Sequence, residues 1–523
     1  MIIILNFGSQ FAHLIAHRVR DLGVKAEILP FDISAENIKI LNPDGIILSG
    51  GPASVLEKGS PRPDKKIYEL NLPLLGICYG HQVMAQMLGG KVKKGKHREF
   101  GRETISIKKY NNLFSGLRQK EIVWFSHGDQ VGKMPANFIT IASTSTCPYA
   151  GYRHREKPFY GIQFHPEVTH TKKGNKILAN FIFSICKAKK DWGVRLVAAE
   201  IISNLKRQIG KNHVIVGISG GVDSLVAATL LRRAIGKQLH AVFVDTGLLR
   251  EGEVESVSKL LHNRGFHLYV VNAKHLFLGR LKGVTDPERK REIIGHTFIE
   301  VFEKVIHSKL RKFSIVSRKL NISGVPPVIK YFAQGTIYPD RIESAATSKN
   351  ASKIKSHHNL TLPEKLHFKI IEPVKDLYKD EVRKIGVLLG LPRAMLWRHP
   401  FPGPGLAIRI IGEVTKERLQ ILRKADSIFI EELKKANEYE KIWQAFAVLL
   451  PIKTVGVMGD VRTYEYIISL RAVDSVDGMT ADWHKIPPEL LEKISSSIVG
   501  KVRGVNRILY DITQKPPSTI EYE

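Results

Sequence analysis

The chain has 523 residues, 43% of them hydrophobic and 25% charged, a globular composition too long for one core, so about two to four domains are expected. No apolar run reaches the roughly 20 residues of a membrane-spanning helix, and Met1-Ile2-Ile3-Ile4-Leu5 leads straight into polar Asn6, so it reads as a buried strand and not a secretory signal. The formal net charge of +30 favours anionic partners, yet the basic residues are scattered, with only short clusters at 187–190 and 289–291 and no nucleic-acid-binding signature, so they are read as solvated surface and nucleic acid is not an expected partner.

In chain order, residues 1 to about 186 alternate short apolar strands with helices, the pattern of an α/β domain. Strands are expected at Ile2–Leu5, Ala26–Leu29, Gly45–Leu48, Leu74–Ile77, Ile122–Phe125, Ile139–Ser143 and Phe159–Gln163. Within this region Gly76-Ile77-Cys78-Tyr79-Gly80 joins an apolar strand to a helix beginning near His81. Glycines two residues either side of a nucleophile permit the sharp strand-to-helix turn of a nucleophile elbow. Such a turn exposes the sulfur and aims the helix N-terminus at it, favouring the thiolate. The other cysteines, Cys147 and Cys186, form no disulfide framework or zinc-like spacing with it, which fits a reducing cytoplasm. Ser49-Gly50-Gly51-Pro52 follows a strand and can offer backbone N–H groups to an oxyanion. His165-Pro166-Glu167 follows another; in extended chain its two side chains share a face, so Glu167 can orient His165 for proton exchange with Cys78.

A polar stretch from Lys187 to Trp192 is read as a hinge. A second α/β unit follows, with strands at His213–Ile218, His240–Val244, His267–Val271 and Tyr331–Gln334. Between the first of these and an apolar helix lies Ser219-Gly220-Gly221-Val222-Asp223-Ser224. Small residues at that junction free backbone N–H groups and point them, with the positive end of the helix dipole, at an anion. The Gly-Lys-Ser/Thr ending of a Walker A loop is missing. An aspartate stands there instead, as suits a Mg²⁺ held between Asp223 and phosphate oxygens. The cluster His399-Pro400-Phe401-Pro402-Gly403-Pro404-Gly405 fits neither helix nor central strand and marks a rigid connection. Beyond it a helix is expected near Lys416 to Glu438, then strands at Thr454–Met458 and Ile467–Arg471.

The loop at 219–224 resembles the pyrophosphate loop of N-type ATP pyrophosphatases, and Cys78, His165 and Glu167 resemble the triad of class I glutamine amidotransferases. Together with Phe243-Val244-Asp245-Thr246-Gly247, Ala333-Gln334-Gly335-Thr336-Ile337-Tyr338-Pro339-Asp340, Ile354-Lys355-Ser356-His357-His358-Asn359, Gly456-Val457-Met458-Gly459-Asp460 and Lys515-Pro516-Pro517-Ser518-Thr519-Ile520-Glu521, the chain is similar to the GMP synthetase family over nearly its whole length. The resemblance implies three parts: an amidotransferase over 1–190, a doubly wound ATP pyrophosphatase domain (adenine nucleotide α-hydrolase-like) over 191–398, and a C-terminal α+β domain over 399–523 that dimerises and binds XMP. It implies a cytoplasmic homodimer that takes XMP, ATP and glutamine.

Residue roles implied by the same resemblance follow. Gly51 and Tyr79 supply oxyanion-hole amides. Ser219, Gly220, Gly221, Val222, Asp223, Ser224, Val244 and Lys379 bind ATP, with adenine near Asp245 and Thr246. Lys355, His357 and His358 form a lid. Arg291, Arg507, Lys515, Ile520 and Glu521 bind XMP; Arg and Lys suit its phosphate, whereas Glu521 accepts hydrogen bonds from base or ribose. The chain departs from the family at Asn6, at Phe11-Ala12-His13, at Thr246, and in a longer basic stretch from Ser308 to Lys319, none of which is assigned to the chemical steps.

Overall fold

The computed structural model describes residues 1–9, 11–108, 112–307, 329–338, 369–475 and 480–523. The expected lid residues Lys355, His357 and His358, the basic stretch from Ser308 to Lys319, and Pro339-Asp340 lie outside these. Two compact units are formed, Met1–Val197 and Ala198–Glu523.

The first unit is built on a nine-stranded sheet of order β2-β1-β3-β4-β9-β8-β7-β5-β6. Its parallel half comprises β1 (Ile2–Asn6), β2 (Ala26–Pro30), β3 (Gly45–Leu48), β4 (Leu74–Ile77) and β9 (Phe159–Ile162). Strands such as Gly45–Leu48 and Leu74–Ile77 are buried at every position, because both faces of a parallel sheet are covered and the sequence reads as unbroken apolar runs. The antiparallel half contains β5 (Lys91–Ile107), β6 (Lys120–Lys133), β7 (Phe138–Ser143) and β8 (Gly151–His154). Two hydrophobic clusters lie on the sheet, one around Ile4, Ile47 and Ile77, the other around Leu5, Leu48 and Met84.

The second unit contains a parallel sheet of order β12-β11-β10-β13-β14, from β10 (His213–Ile218), β11 (Leu239–Asp245), β12 (His267–Asn272), β13 (Ile329–Ala333) and β14 (Lys369–Ile371). The strand order reverses between β10 and β13, and at such a switch point ligands bind outside the carboxyl ends of the strands. The loop 219–224 leaves the end of β10, so the topology puts it where binding is expected. A second sheet holds β15 (Gln444–Met458), β16 (Val461–Asp474), β17 (Asp482–Trp483) and β18 (Val505–Asp511). The helix Lys416–Lys435, capped by Thr415, which accepts from Arg418 N–H, packs on it. Ile215, Val242 and Phe332 share one hydrophobic cluster with Phe429, Ala447 and Ile468, so both sheets of this unit draw on a common core.

No described helix is long and apolar enough to cross a membrane.

Candidate active sites

In the first unit, Cys78 sits between β4 and the helix Tyr79–Met87 with φ 53° and ψ −103°. A non-glycine residue in such a conformation stores about 1–3 kcal/mol of strain, which the packing around it must impose. Gly80 shows how. A methyl group built on it would lie 2.2 Å from the Leu48 carbonyl oxygen, so the helix passes directly over β3. Gly80→Ala should therefore destabilise this unit by about 1–3 kcal/mol through overpacking, seen as an earlier thermal unfolding transition; an unchanged transition would contradict the close approach.

The His165 ring is buried, and its Nδ1 lies 2.7 Å from Glu167 Oε1. The connecting segment is a bend after β9 and not the extended chain expected from sequence, yet the two side chains still meet. His165 N–H donates to the Trp124 carbonyl at 2.9 Å, and its own carbonyl accepts from Thr171 Oγ1 at 2.6 Å, fixing the bend. Phe11 covers the ring at 4.7 Å between centroids. Burial pulls the imidazole pKa down, but the charge of Glu167, and hydrogen bonding with both Cys78 and Glu167, hold it well above the ordinary value. The Cys78 sulfur also approaches the Ser126 carbonyl at 3.6 Å and accepts from Gln163 Nε2 at 3.8 Å.

A methyl group on Gly50 would lie 3.1 Å from His165 Cε1 and 3.7 Å from Cys78 Cβ, and one on Gly51 would lie 3.3 Å from Tyr79 Cγ. The Ser49–Gly51 turn thus faces the cysteine–histidine pair. The Cys78 amide is used within the sheet, donating to Ile162 O at 2.9 Å. Neither Gly51 N–H nor Tyr79 N–H donates to a backbone carbonyl among the described residues.

In the second unit the helix after β10 begins at Val222, earlier than the apolar pattern implied, so Asp223 and Ser224 occupy its first turn. Ser224 Oγ accepts from Ser219 N–H at 3.3 Å and lies 3.1 Å from Ser219 Oγ, closing the loop on itself. Lys379, first residue of the helix Lys379–Leu388, donates from Nζ to Asp223 Oδ2 at 2.5 Å. Asp223 Oδ1 is buried with no hydrogen-bond partner among the described residues. A carboxylate oxygen left in that state fits a hard divalent cation, which takes oxygen ligands. Val244 is buried in β11, and Asp245 at its end accepts from Gly247 N–H at 3.1 Å and pairs with Lys274 at 3.1 Å.

The tail is anything but a frayed end. Ile520 is buried with Phe446, Val448, Val473 and Ala481. Glu521 is held in bidentate fashion by the fully buried Arg409, at 2.9 and 3.1 Å, and by Gln444 Nε2 at 2.7 Å. Phe401 and Phe446 stack on the same guanidinium. Removing one member of such a buried pair costs about 3–5 kcal/mol. Arg291 donates to the Glu523 main-chain oxygen at 2.5 Å, and the backbone of Lys515 pairs with Ala481. Arg291, Ile520 and Glu521 are thus gathered around one tail. Arg507 is exposed on β18 and makes no ion pair among the described residues. Arg409, Gln444 and Arg471, which holds Asp511 at 2.8 Å and the Ile520 and Thr519 carbonyls, escaped the sequence reading because no local motif marks them.

Three family models match the chain: Glutamine amidotransferase class-I over residues 3–185, NAD synthase over 196–286, and GMP synthase C terminal domain over 431–522. A protein of Aquifex aeolicus named GMP synthase [glutamine-hydrolyzing] is 54% identical over 523 residues, covering 100% of this chain and 99% of its own length. Proteins of the same name from Thermosipho melanesiensis and Thermosipho africanus are each 54% identical over 524 residues, with the same coverage. The chain belongs to the glutamine-hydrolysing GMP synthase family. The amidotransferase model spans the elbow, the histidine and the glutamate of the first unit. The NAD synthase model covers β10, the 219–224 loop and β11, the ATP pyrophosphatase part of a GMP synthase. Its C-terminal model spans the sheet and tail that enclose Glu521.

Proposed function

We propose that the chain makes GMP from XMP, ATP and glutamine, releasing AMP, pyrophosphate and glutamate, with the work divided between its two units. The observation that carries this reading is the pairing, on one chain related to GMP synthases along its whole length, of a cysteine elbow and an Asp223-bearing phosphate loop.

In the first centre the Cys78 thiolate attacks the side-chain amide carbon of glutamine. The Gly51 and Tyr79 amides steady the oxyanion that forms. His165, kept protonated by its neighbours, gives its proton to the leaving nitrogen; ammonia departs, and water hydrolyses the glutamyl thioester with His165 now as base. Glu167 holds the ring in place and balances its charge. Glu167→Gln should lower the His165 pKa, because the carboxylate is what raises it against the opposing effect of burial. The alkaline limb of the glutaminase pH profile then moves to lower pH, where the imidazole loses the proton it must donate. The sign for stability is parallel: the contribution of the raised imidazole is full below its ordinary value of 6.5 and is lost as pH climbs through the higher folded value. An alkaline limb that stays in place in the variant would contradict this role.

In the second centre the 2-oxygen of XMP attacks the α-phosphorus of ATP and pyrophosphate leaves. Ammonia then attacks purine C2 and expels AMP. The 219–224 amides and Lys379 bind the pyrophosphate moiety, and Asp223 is the residue to hold Mg²⁺. When bound, that ion supplies charge neutralisation at the phosphate oxygens. Val244 lines the adenine side. The tail, with Arg291, Lys515, Ile520 and Glu521, closes over XMP, and Arg507 reaches its phosphate. Glu521 is pre-set by Arg409 and Gln444 to accept hydrogen bonds from the nucleotide. Exposed apolar residues on β15 and β16, among them Val455, Val457, Val461 and Tyr464, suit a homodimer contact, and the enzyme works in the cytoplasm. Incubation with XMP, ATP, Mg²⁺ and glutamine, followed by purine absorbance, tests the reading. No turnover with either glutamine or ammonia would sink it.

A further inference from the structure

We infer that Arg398 is a positioning residue for the phosphate loop, clamping the Gly220 carbonyl and so fixing the Gly220–Gly221 peptide of the cradle that takes the pyrophosphate of ATP. Gly220 has φ +80° and is followed by a second glycine, so this is the part of the loop with the greatest backbone freedom. Arg398 meets it from outside. Its Nη1 donates to the Gly220 carbonyl at 3.3 Å, while Nη2 donates to Glu253 Oε1 at 2.7 Å. Glu253 is buried, and its other oxygen accepts from Arg250 N–H at 3.1 Å, so the far end of the clamp is fixed. In a trans peptide the C=O and N–H point in opposite directions. Holding the Gly220 carbonyl on Arg398 therefore keeps the Gly221 N–H on the opposite side of the peptide, where it donates to Ser219 Oγ at 3.3 Å within the loop. An amide already oriented loses less freedom when phosphate binds.

The root of Arg398 is equally constrained. The adjacent His399 stacks on Tyr439 at 3.8 Å, donates from Nε2 to the Tyr439 carbonyl at 2.8 Å, and accepts from Ala445 N–H on Nδ1 at 3.0 Å. The Pro-Gly connection beyond His399 is thereby tied to β15, and Arg398 carries that rigidity back to the loop.

The inference rests on the reading of 219–224 as the pyrophosphate cradle, and steady-state kinetics on the full chain separates the two. Ammonia-dependent GMP formation is followed while ATP, XMP and added pyrophosphate are varied. Arg398→Ala should raise the KM for ATP and the Ki for pyrophosphate by about tenfold or more, as expected for a lost charge-assisted hydrogen bond, with the KM for XMP and the glutaminase rate unchanged. Arg398→Lys, which keeps the charge but presents a single ammonium to two acceptors, should fall between parent and Ala variant. Adding Glu253→Gln to Arg398→Ala should cost little more, since the two residues act as one clamp. If pyrophosphate competes with ATP in the parent and both Arg398 variants keep its Ki and the ATP KM within about twofold, the clamp is refuted and the residue is merely structural. If pyrophosphate fails to compete with ATP even in the parent, the cradle reading itself falls, and this inference with it.

Discussion

Cys78→Ala is expected to abolish glutamine-dependent GMP formation, by at least about 10⁴-fold, because a triad stripped of its nucleophile retains only residual catalysis. Ammonia-dependent formation in the same variant should stay within about twofold of the parent, since free ammonia bypasses the cysteine and independent sites act additively. The small side chain fits the elbow without forcing a rotamer, and no residue of the 219–224 loop is changed. The assay compares initial rates with glutamine and with ammonium salt at saturating XMP and ATP. Equal loss with both donors would mean that the two chemistries share one centre.

Asp223→Ala should have the opposite signature, stopping synthesis with either nitrogen donor by about 10³-fold and leaving the glutaminase in place. The carboxylate stands in the first turn of the helix Val222–Ile235, with Oδ2 on Lys379 and Oδ1 unpartnered among the described residues. Its pair with Lys379 is partly exposed, so little stability is lost with it. The effect is therefore on rate and not on folding. The measurement is AMP release from ATP and XMP with ammonia and then with glutamine. Retained adenylation would mean that the cation is held elsewhere.

What the sequence revealed follows from how each element is buried. β3 and β4 are covered on both faces and stand out as unbroken apolar runs at the expected positions, and β10 buries Val214, Ile215, Val216 and Ile218. β5 is long and rich in Lys, Arg and Glu, its paired neighbours are β6 and β7, and Lys91, Lys93, Lys94, Arg102 and Glu103 are exposed; no apolar run announces it. β18 alternates buried and exposed residues only weakly, and β8 and β14 are short, so no sequence pattern marks these three strands. The helix carrying Asp223 starts three residues before its apolar stripe, because the cap is Gly221 and the first turn is devoted to small and acidic residues.

The same logic holds for the sites. Cys78, His165 and Glu167 were legible because the elbow needs glycines at fixed spacing and the histidine lies two residues from its glutamate. Arg398 and Arg409 were not. Arg398 reaches Gly220 across 178 positions, and Arg409 reaches Glu521 across 112. Only the folded chain brings those guanidinium groups to their partners. The tail was legible as a motif, but its anchoring was not: the sequence offered Glu521 to the nucleotide, and the fold adds the arginine that holds it.

The claim that two centres cooperate in one adenylating amination is tested most directly by isotope tracing. XMP carrying ¹⁸O at purine C2, ATP and glutamine labelled with ¹⁵N in its amide are incubated with the full chain, and the products are weighed by mass spectrometry. Transfer of ¹⁸O to the phosphate of AMP and of ¹⁵N to GMP is the expected result. Heavy oxygen found in pyrophosphate or water, or GMP lacking heavy nitrogen, would contradict it.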